Sequence, residues 1–240
     1  MKCLMRPFGY HCRVANPDDQ LIERRSLVSK FTIALVTSLL TALFVTTVLP
    51  QAQNTAGAKR LPQITLDQLS GPSRQLGEEI MKISSIGLAG PYNPMLRSPQ
   101  MAERLFRLLD YLRFNTSVPR RLNEFAILIQ ARLWTSQVEW YAHYPLALKA
   151  GLAESVAADL KAGRRPAQMQ QDEAVVYDFS MELSTTHAVS DETWARARAV
   201  MTDQQIMDLI VVSGTYVTVA MLLNAAQEPA PGGIIIEPLR

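Results

Sequence analysis

Two polar side chains stand out for their types and spacing: Glu139 and His143. Glu139 and His143 are four residues apart, so on a helix they share one face. A carboxylate next to an imidazole raises its basicity and fixes its tautomer. Such a pair can move a proton to or from a carbon adjacent to a carbonyl. Charge developing on the substrate then calls for a cation. Arg132 and Arg121, on the same stretch as Glu124, are the candidates for binding it. Each of these residues also has a plainer reading. An i,i+4 Glu–His pair can be a surface contact worth only a few tenths of a kcal/mol. Glu124 can be the buried partner of Arg132 or Arg121 rather than a site residue.

The surrounding pattern is helical, and it must supply the positioning. Pro119 opens PRRLNEFAILIQARLW, with Leu122, Phe125, Ala126, Ile129 and Leu133 on one face. Thr135 and Ser136 form a short junction. QVEWYAHYPLALKAG follows as a second helix, with Pro145 inside it and Gly151 just past its end. Ser136, Glu139 and His143 then project along one stripe, and an antiparallel return sets Glu124 opposite them. The expectation is that Glu124, Glu139 and His143 converge on one pocket.

Helical spacing from Leu66 to Ile83, interrupted at Gly71-Pro72, gives a helix-like stretch around Glu78 and Glu79 that ends near Gly87. Further helices are read from Pro99 behind Ser98, over 152–162 up to Gly163, and over 170–185. Two more start at the caps Ser190 and Thr202. The second of these runs through VVSGTYVTVA, β-branched enough to resemble a strand, but its apolar run is too long for one. The fold class is all-α, about six to eight helices over residues 59–228, with 229–240 as an extended tail.

The stretch from Glu124 to Gly151 resembles the carboxymuconolactone decarboxylase family, within the alkylhydroperoxidase D-like superfamily. The resemblance runs from about Pro94 to Ala226 and includes DEAVVYDFSMEL, VSDETWARA and the helix after Thr202. The peroxidase branch carries E-x11-C-x2-C-x3-H. At those offsets this chain has Glu124, Ser136, Glu139 and His143, so the glutamate and histidine remain and both thiols are replaced. A hydroxyl cannot serve as a peroxidatic thiolate. The decarboxylase branch, with E-W-x2-H, is closer: here Glu139, Trp140 and His143. The resemblance implies a lyase-like or isomerase-like enzyme with His143, Glu139 and Glu124 as catalytic residues. It implies a small carboxylated substrate, no cofactor or metal, and a homotrimer or homohexamer. A non-catalytic oligomeric helical module is the alternative, and a peroxidase-related protein without its own redox cysteines is a weaker one.

Composition narrows the classes. With 48% hydrophobic and 19% charged residues the chain can build a core. The formal charge is +2, with the excess of basic residues in the first thirty, so no basic face for nucleic acid is indicated. Both cysteines, Cys3 and Cys12, precede the body, which excludes a thiol nucleophile or a cysteine-built metal site there. Residues 1–30 show no apolar periodicity and read as a disordered leader or a mis-assigned start. Behind Arg24, Arg25 and Lys30, residues 31–58 carry no charge. They read as a signal peptide, or as a membrane anchor through residues 31–50 if uncleaved. The body is therefore expected in the periplasm or secreted, or held outside the cytoplasm by that anchor.

Overall fold

Pro119 and Thr135 set the limits of the helix on which the body is built. Proline fixes a helix-compatible φ and needs no amide partner, and the chain turns helical at the next residue. Thr135 adopts a positive φ of 50° and ends the helix, with the Ser136 N–H returning to the Ala131 carbonyl at 2.8 Å. The computed structural model describes residues 2–6, 9–13, 59–84 and 86–238.

These residues fall into two units, 1–55 and 56–240. In the first, β1 (Lys2–Arg6) and β2 (Gly9–Arg13) pair antiparallel, with Cys3 opposite Cys12. The sequence offers no pattern for this hairpin. The segment expected to be a signal or anchor, 31–58, lies outside the described residues.

The second unit is all-helical. A 3-10 turn at Leu66–Gln68 leads into α1 (Gly71–Ile83), the single turn α2 (Tyr92–Met95) and α3 (Pro99–Asp110). α3 continues into a π turn, Tyr111–Asn115. Then come α4 (Arg120–Leu133), α5 (Gln137–Lys149), α6 (Glu154–Lys161), α7 (Gln171–Thr186), α8 (Asp191–Val200) and α9 (Asp203–Ala226).

α4 lies at the centre, packed against α5, α7 and α9. The expected single apolar face understates its position, because every residue from Leu122 to Arg132 is buried. A helix surrounded on all sides has no solvent face to keep polar. Some of its buried polar atoms find partners, as where the Asn123 amide nitrogen donates to the Leu112 carbonyl at 3.0 Å, while Asn123 Oδ1 and Arg132 Nε have none among the described residues.

Caps fix the other boundaries. Ser190 and Thr202 each accept the N–H three residues on, from Thr193 and Gln205. Gly151 takes a φ of 98° after α5, and Leu152 N–H closes back on Ala147 at 3.0 Å. α9 is apolar and long enough to span a bilayer by length alone, but its Ile206, Leu209, Val212, Tyr216 and Val219 are buried in this core.

One polar knot joins distant parts of the unit. Asp208 on α9 accepts from the Ser117 N–H at 2.8 Å, the Ser117 hydroxyl at 2.7 Å, the Thr116 hydroxyl at 3.1 Å and the Tyr111 phenol at 3.1 Å. The segment after α9 folds back instead of extending. Gln137 accepts from the Ile235 and Ile236 N–H groups at 2.7 and 2.9 Å and donates to the Ile236 carbonyl at 2.7 Å, and Ile236 is buried.

Candidate active site

The connection between α4 and α5 is three residues long, so the helices lie side by side and Glu124 faces His143. Glu124 Oε2 accepts from His143 Nδ1 at 2.7 Å. The other carboxylate oxygen, Oε1, is 2.9 Å from Arg120 Nη2. Because an ionised carboxylate can only accept, the imidazole carries its proton on Nδ1. Nε2 is left as the basic atom, and it makes no hydrogen bond among the described residues. Tyr216 of α9 stands edge-on to the imidazole, 5.0 Å between centroids and 89° between planes.

Glu139 is one helical turn before His143 and lies in the same cavity. It is 3% exposed, and neither carboxyl oxygen has a hydrogen-bond partner among the described residues. Burial pushes its pKa up to about 8, the neighbouring Ser136 hydroxyl offsetting only part of the rise without closing a hydrogen bond of ordinary geometry. At neutral pH Glu139 is therefore mostly an uncharged acid. Tyr216 is also shifted upward, chiefly by burial, with Arg113 opposing the shift. It remains a phenol and a donor.

The cavity holding these groups has a volume of about 1020 Å³. α5 supplies one long wall, from Val138 to Leu146. α9 adds Tyr216, Val219 and Leu223, and the returning tail adds Pro229, Pro231 and Ile235. Tyr92 and Arg113 line it from the α2 and α3 side. Arg113 Nη1 donates to the Tyr92 phenolic oxygen at 3.0 Å, while its Nε is buried without a partner among the described residues. Arg113 forms no ion pair among the described residues.

Of the five residues singled out in the sequence, His143 and Glu139 line the cavity, and Glu124 sits behind His143 as its orienting partner. The expected pairing is corrected in one respect: the carboxylate that holds the imidazole is Glu124, not Glu139. Neither expected arginine faces the cavity. Arg121 is bound by two carboxylates of α7, Asp172 at 2.7 Å and Glu173. Arg132 is buried and donates to the Glu237 carbonyl at 2.6 Å, fastening the tail. Arg113, Tyr92 and Tyr216 take the place they were expected to fill. A π turn is a frequent marker of functional sites, and Arg113 lies on one, but its wider hydrogen-bonding pattern leaves no signature in the residue types. Among the described residues no three His, Cys, Asp or Glu side chains gather to hold a metal ion.

No family model matches the chain, and no curated protein matches it in sequence. Solved structures do match it in three dimensions. The alkylhydroperoxidase AhpD core of Ralstonia eutropha JMP134, an uncharacterized peroxidase-related protein, superimposes with a TM-score of 0.63 at 14% identity over 75% of this chain and 99% of that one. The fold is alkylhydroperoxidase D-like. An uncharacterized peroxidase-related protein from Silicibacter sp. TM1040 gives a TM-score of 0.58 at 13% identity, covering 76% of this chain and 94% of its own. A protein of unknown function from Agrobacterium tumefaciens gives 0.50 at 17%, covering 56% and 93%. At such identities the likeness concerns the AhpD-like fold alone.

Proposed function

We propose that this protein is an acid/base enzyme of the carboxymuconolactone decarboxylase kind, acting on a carbonyl compound that bears an acidic group. The observation that carries the reading is Glu139: a buried carboxyl without a partner, in a cavity, one turn from an oriented imidazole. A structural carboxyl left unpaired in a core is a net cost, about 1–3 kcal/mol or more. A proton donor waiting for a substrate explains why the cost is borne.

The two groups have complementary states. His143 Nε2 accepts a proton from the carbon next to the substrate carbonyl, and Glu124 stabilises the imidazolium that forms. Glu139 donates a proton to the enolate, at carbon or oxygen. In a decarboxylation the C–C bond to the carboxylate breaks and CO₂ leaves, the bond's electron pair becomes the enolate, the Glu139 proton ends on carbon, and water returns a proton to Glu139. Arg113 and the Tyr216 phenol are placed to stabilise the intermediate charge. Thiol peroxidase chemistry is not part of the reading, since Ser136 and Glu139 occupy the two thiol positions. Residues 31–50 are read as the segment that takes the domain out of the cytoplasm, which cell fractionation tests.

Turnover of a panel of lactones and β-keto acids by the purified protein is the direct experiment. Activity should decline on the alkaline side near pH 8, where Glu139 ionises. Wild-type rates from Glu139→Gln on every substrate turned over would end the acid/base assignment.

A further inference from the structure

The cavity's size and its charges disagree with a small, doubly charged substrate. At about 1020 Å³ it stands at the top of the range, roughly 300–1,000 Å³, that accommodates drug-sized ligands. A compact lactone would leave most of it to water. Its walls are largely hydrocarbon and aromatic, among them Leu109, Val138, Trp140, Val219, Leu223 and Ile235. Water against such surface is unfavourable, and apolar ligand surface gains by replacing it.

The charges inside are few. Among the described residues the cavity's lining cations are Arg113 and Lys161. Lys161 is exposed, as is Glu154, which shares that rim, so the two leave the mouth close to neutral. Arg121 and Arg132 are committed elsewhere. One half-buried guanidinium, Arg113, therefore remains on the cavity wall, with a buried Nε that has no partner among the described residues. One inward cation matches one anionic group. A second carboxylate deeper in the cavity would be desolvated among apolar side chains without a counter-ion.

We propose that the ligand of this cavity is an extended apolar monoanion, with its carboxylate on Arg113 and the Tyr92 phenol and its hydrocarbon body along α5, α9 and the returning tail. The proposal rests on the acid/base reading for which carbon reacts, but not for binding. The carboxylate anchor sets one end. The carbonyl to be processed then lies on the anchor side of the chain, where His143 and Glu139 line the same cavity.

The test is calorimetric titration of the purified full chain with straight-chain monocarboxylates from butyrate to laurate, with succinate and adipate, and with the neutral alcohol 1-dodecanol. Affinity should rise about fourfold per added methylene. Laurate should bind at least tenfold more tightly than 1-dodecanol, and the dicarboxylates more weakly than laurate. Arg113→Met should remove the preference for laurate over the alcohol and leave alcohol binding unchanged. If that variant does not fold, the wild-type comparison of laurate with 1-dodecanol still decides. Affinity independent of chain length, equal binding of acid and alcohol, or dicarboxylates bound more tightly than laurate would each overturn the proposal. Glu139→Gln separates this from the catalytic reading, since it should abolish turnover and keep laurate affinity. Chain-length-dependent laurate binding by a protein that turns over no substrate would leave the ligand class standing and remove the enzyme assignment alone.

Discussion

Glu124 Oε2 and His143 Nδ1 are 2.7 Å apart although 19 residues separate them in sequence. The contact exists because the α4–α5 connection reverses the chain within three residues. Arg120 holds the other carboxylate oxygen. The three side chains form a line from a partly exposed guanidinium to the cavity wall. The line orients the imidazole; Glu139 stands outside it.

Glu124→Gln should lower kcat/KM by about 10²–10⁴-fold with little loss of fold, by analogy with other oriented imidazoles. Arg120 would retain the amide oxygen, turning the amide nitrogen toward His143. The imidazole proton would move to Nε2, the atom that must accept. Glu124→Ala instead leaves Arg120 and His143 unpaired and should cost stability, about 3–5 kcal/mol. A Glu124→Gln rate within threefold of wild type would show that the tautomer does not matter.

Glu139 links activity to stability through pH. Its folded pKa, about 8, lies above the ordinary 4.5, so the folded state holds a proton that the unfolded state releases. Its contribution to stability is complete below pH 4.5 and is lost as the pH rises through about 8. Over that window this group alone lowers stability by about 1.4 kcal/mol per pH unit. Glu139→Gln should therefore melt higher than wild type at pH 8 and converge with it below pH 5. Parallel melting curves across this range would place the Glu139 carboxyl in contact with water.

Asp208 has the opposite sign. Burial alone would raise its pKa, but the N–H of Ser117 and the hydroxyls of Ser117, Thr116 and Tyr111 together hold it below the ordinary value. Its contribution is present above the unfolded pKa and disappears as the pH falls through the folded one. Asp208→Asn should cost about 1.5–3 kcal/mol at pH 7, the worth of a hydrogen bond to a charged group, and the difference should shrink below pH 4. Denaturant unfolding at several pH values measures both.

Gly214 sits inside α9 on its exposed side, and a Cβ added there meets no heavy atom within 4 Å. Gly214→Ala should raise stability by about 1 kcal/mol. Thermal melting checks it, and light scattering on the same sample shows whether the assembly changes. A lower melting temperature together with a smaller assembly would mean that another chain packs on this face.

Much of this fold was legible in local chemistry. The limits of α4 and α5, the caps Ser190 and Thr202 and the stop at Gly151 are decided by residues within a few positions of one another, and the structure has each of them. The candidate residues His143 and Glu139 were legible from their four-residue spacing. What escaped was long-range. Arg121 and Arg132 share the Glu124 helix, but partners 51 and 105 residues away decide their use. Tyr216 reaches His143 only because α9 packs on α4. No helical pattern within one segment reports which carboxylate another segment will supply.

The π turn at Tyr111–Asn115 has a geometric effect on everything that follows it. An α-helix advances about 100° per residue, so a turn that holds one extra residue slips the angular phase of the chain by about that amount. Arg113 is carried on the slip, and Thr116 and Ser117 emerge from it at the angle from which they meet Asp208. A one-residue deletion here would restore the phase of α3. It would swing the guanidinium off the cavity wall by roughly a quarter turn and pull the Asp208 ligands out of reach. The segment behaves as a vernier: its length in residues sets an angle, and that angle serves both the cavity and the knot that fastens the core.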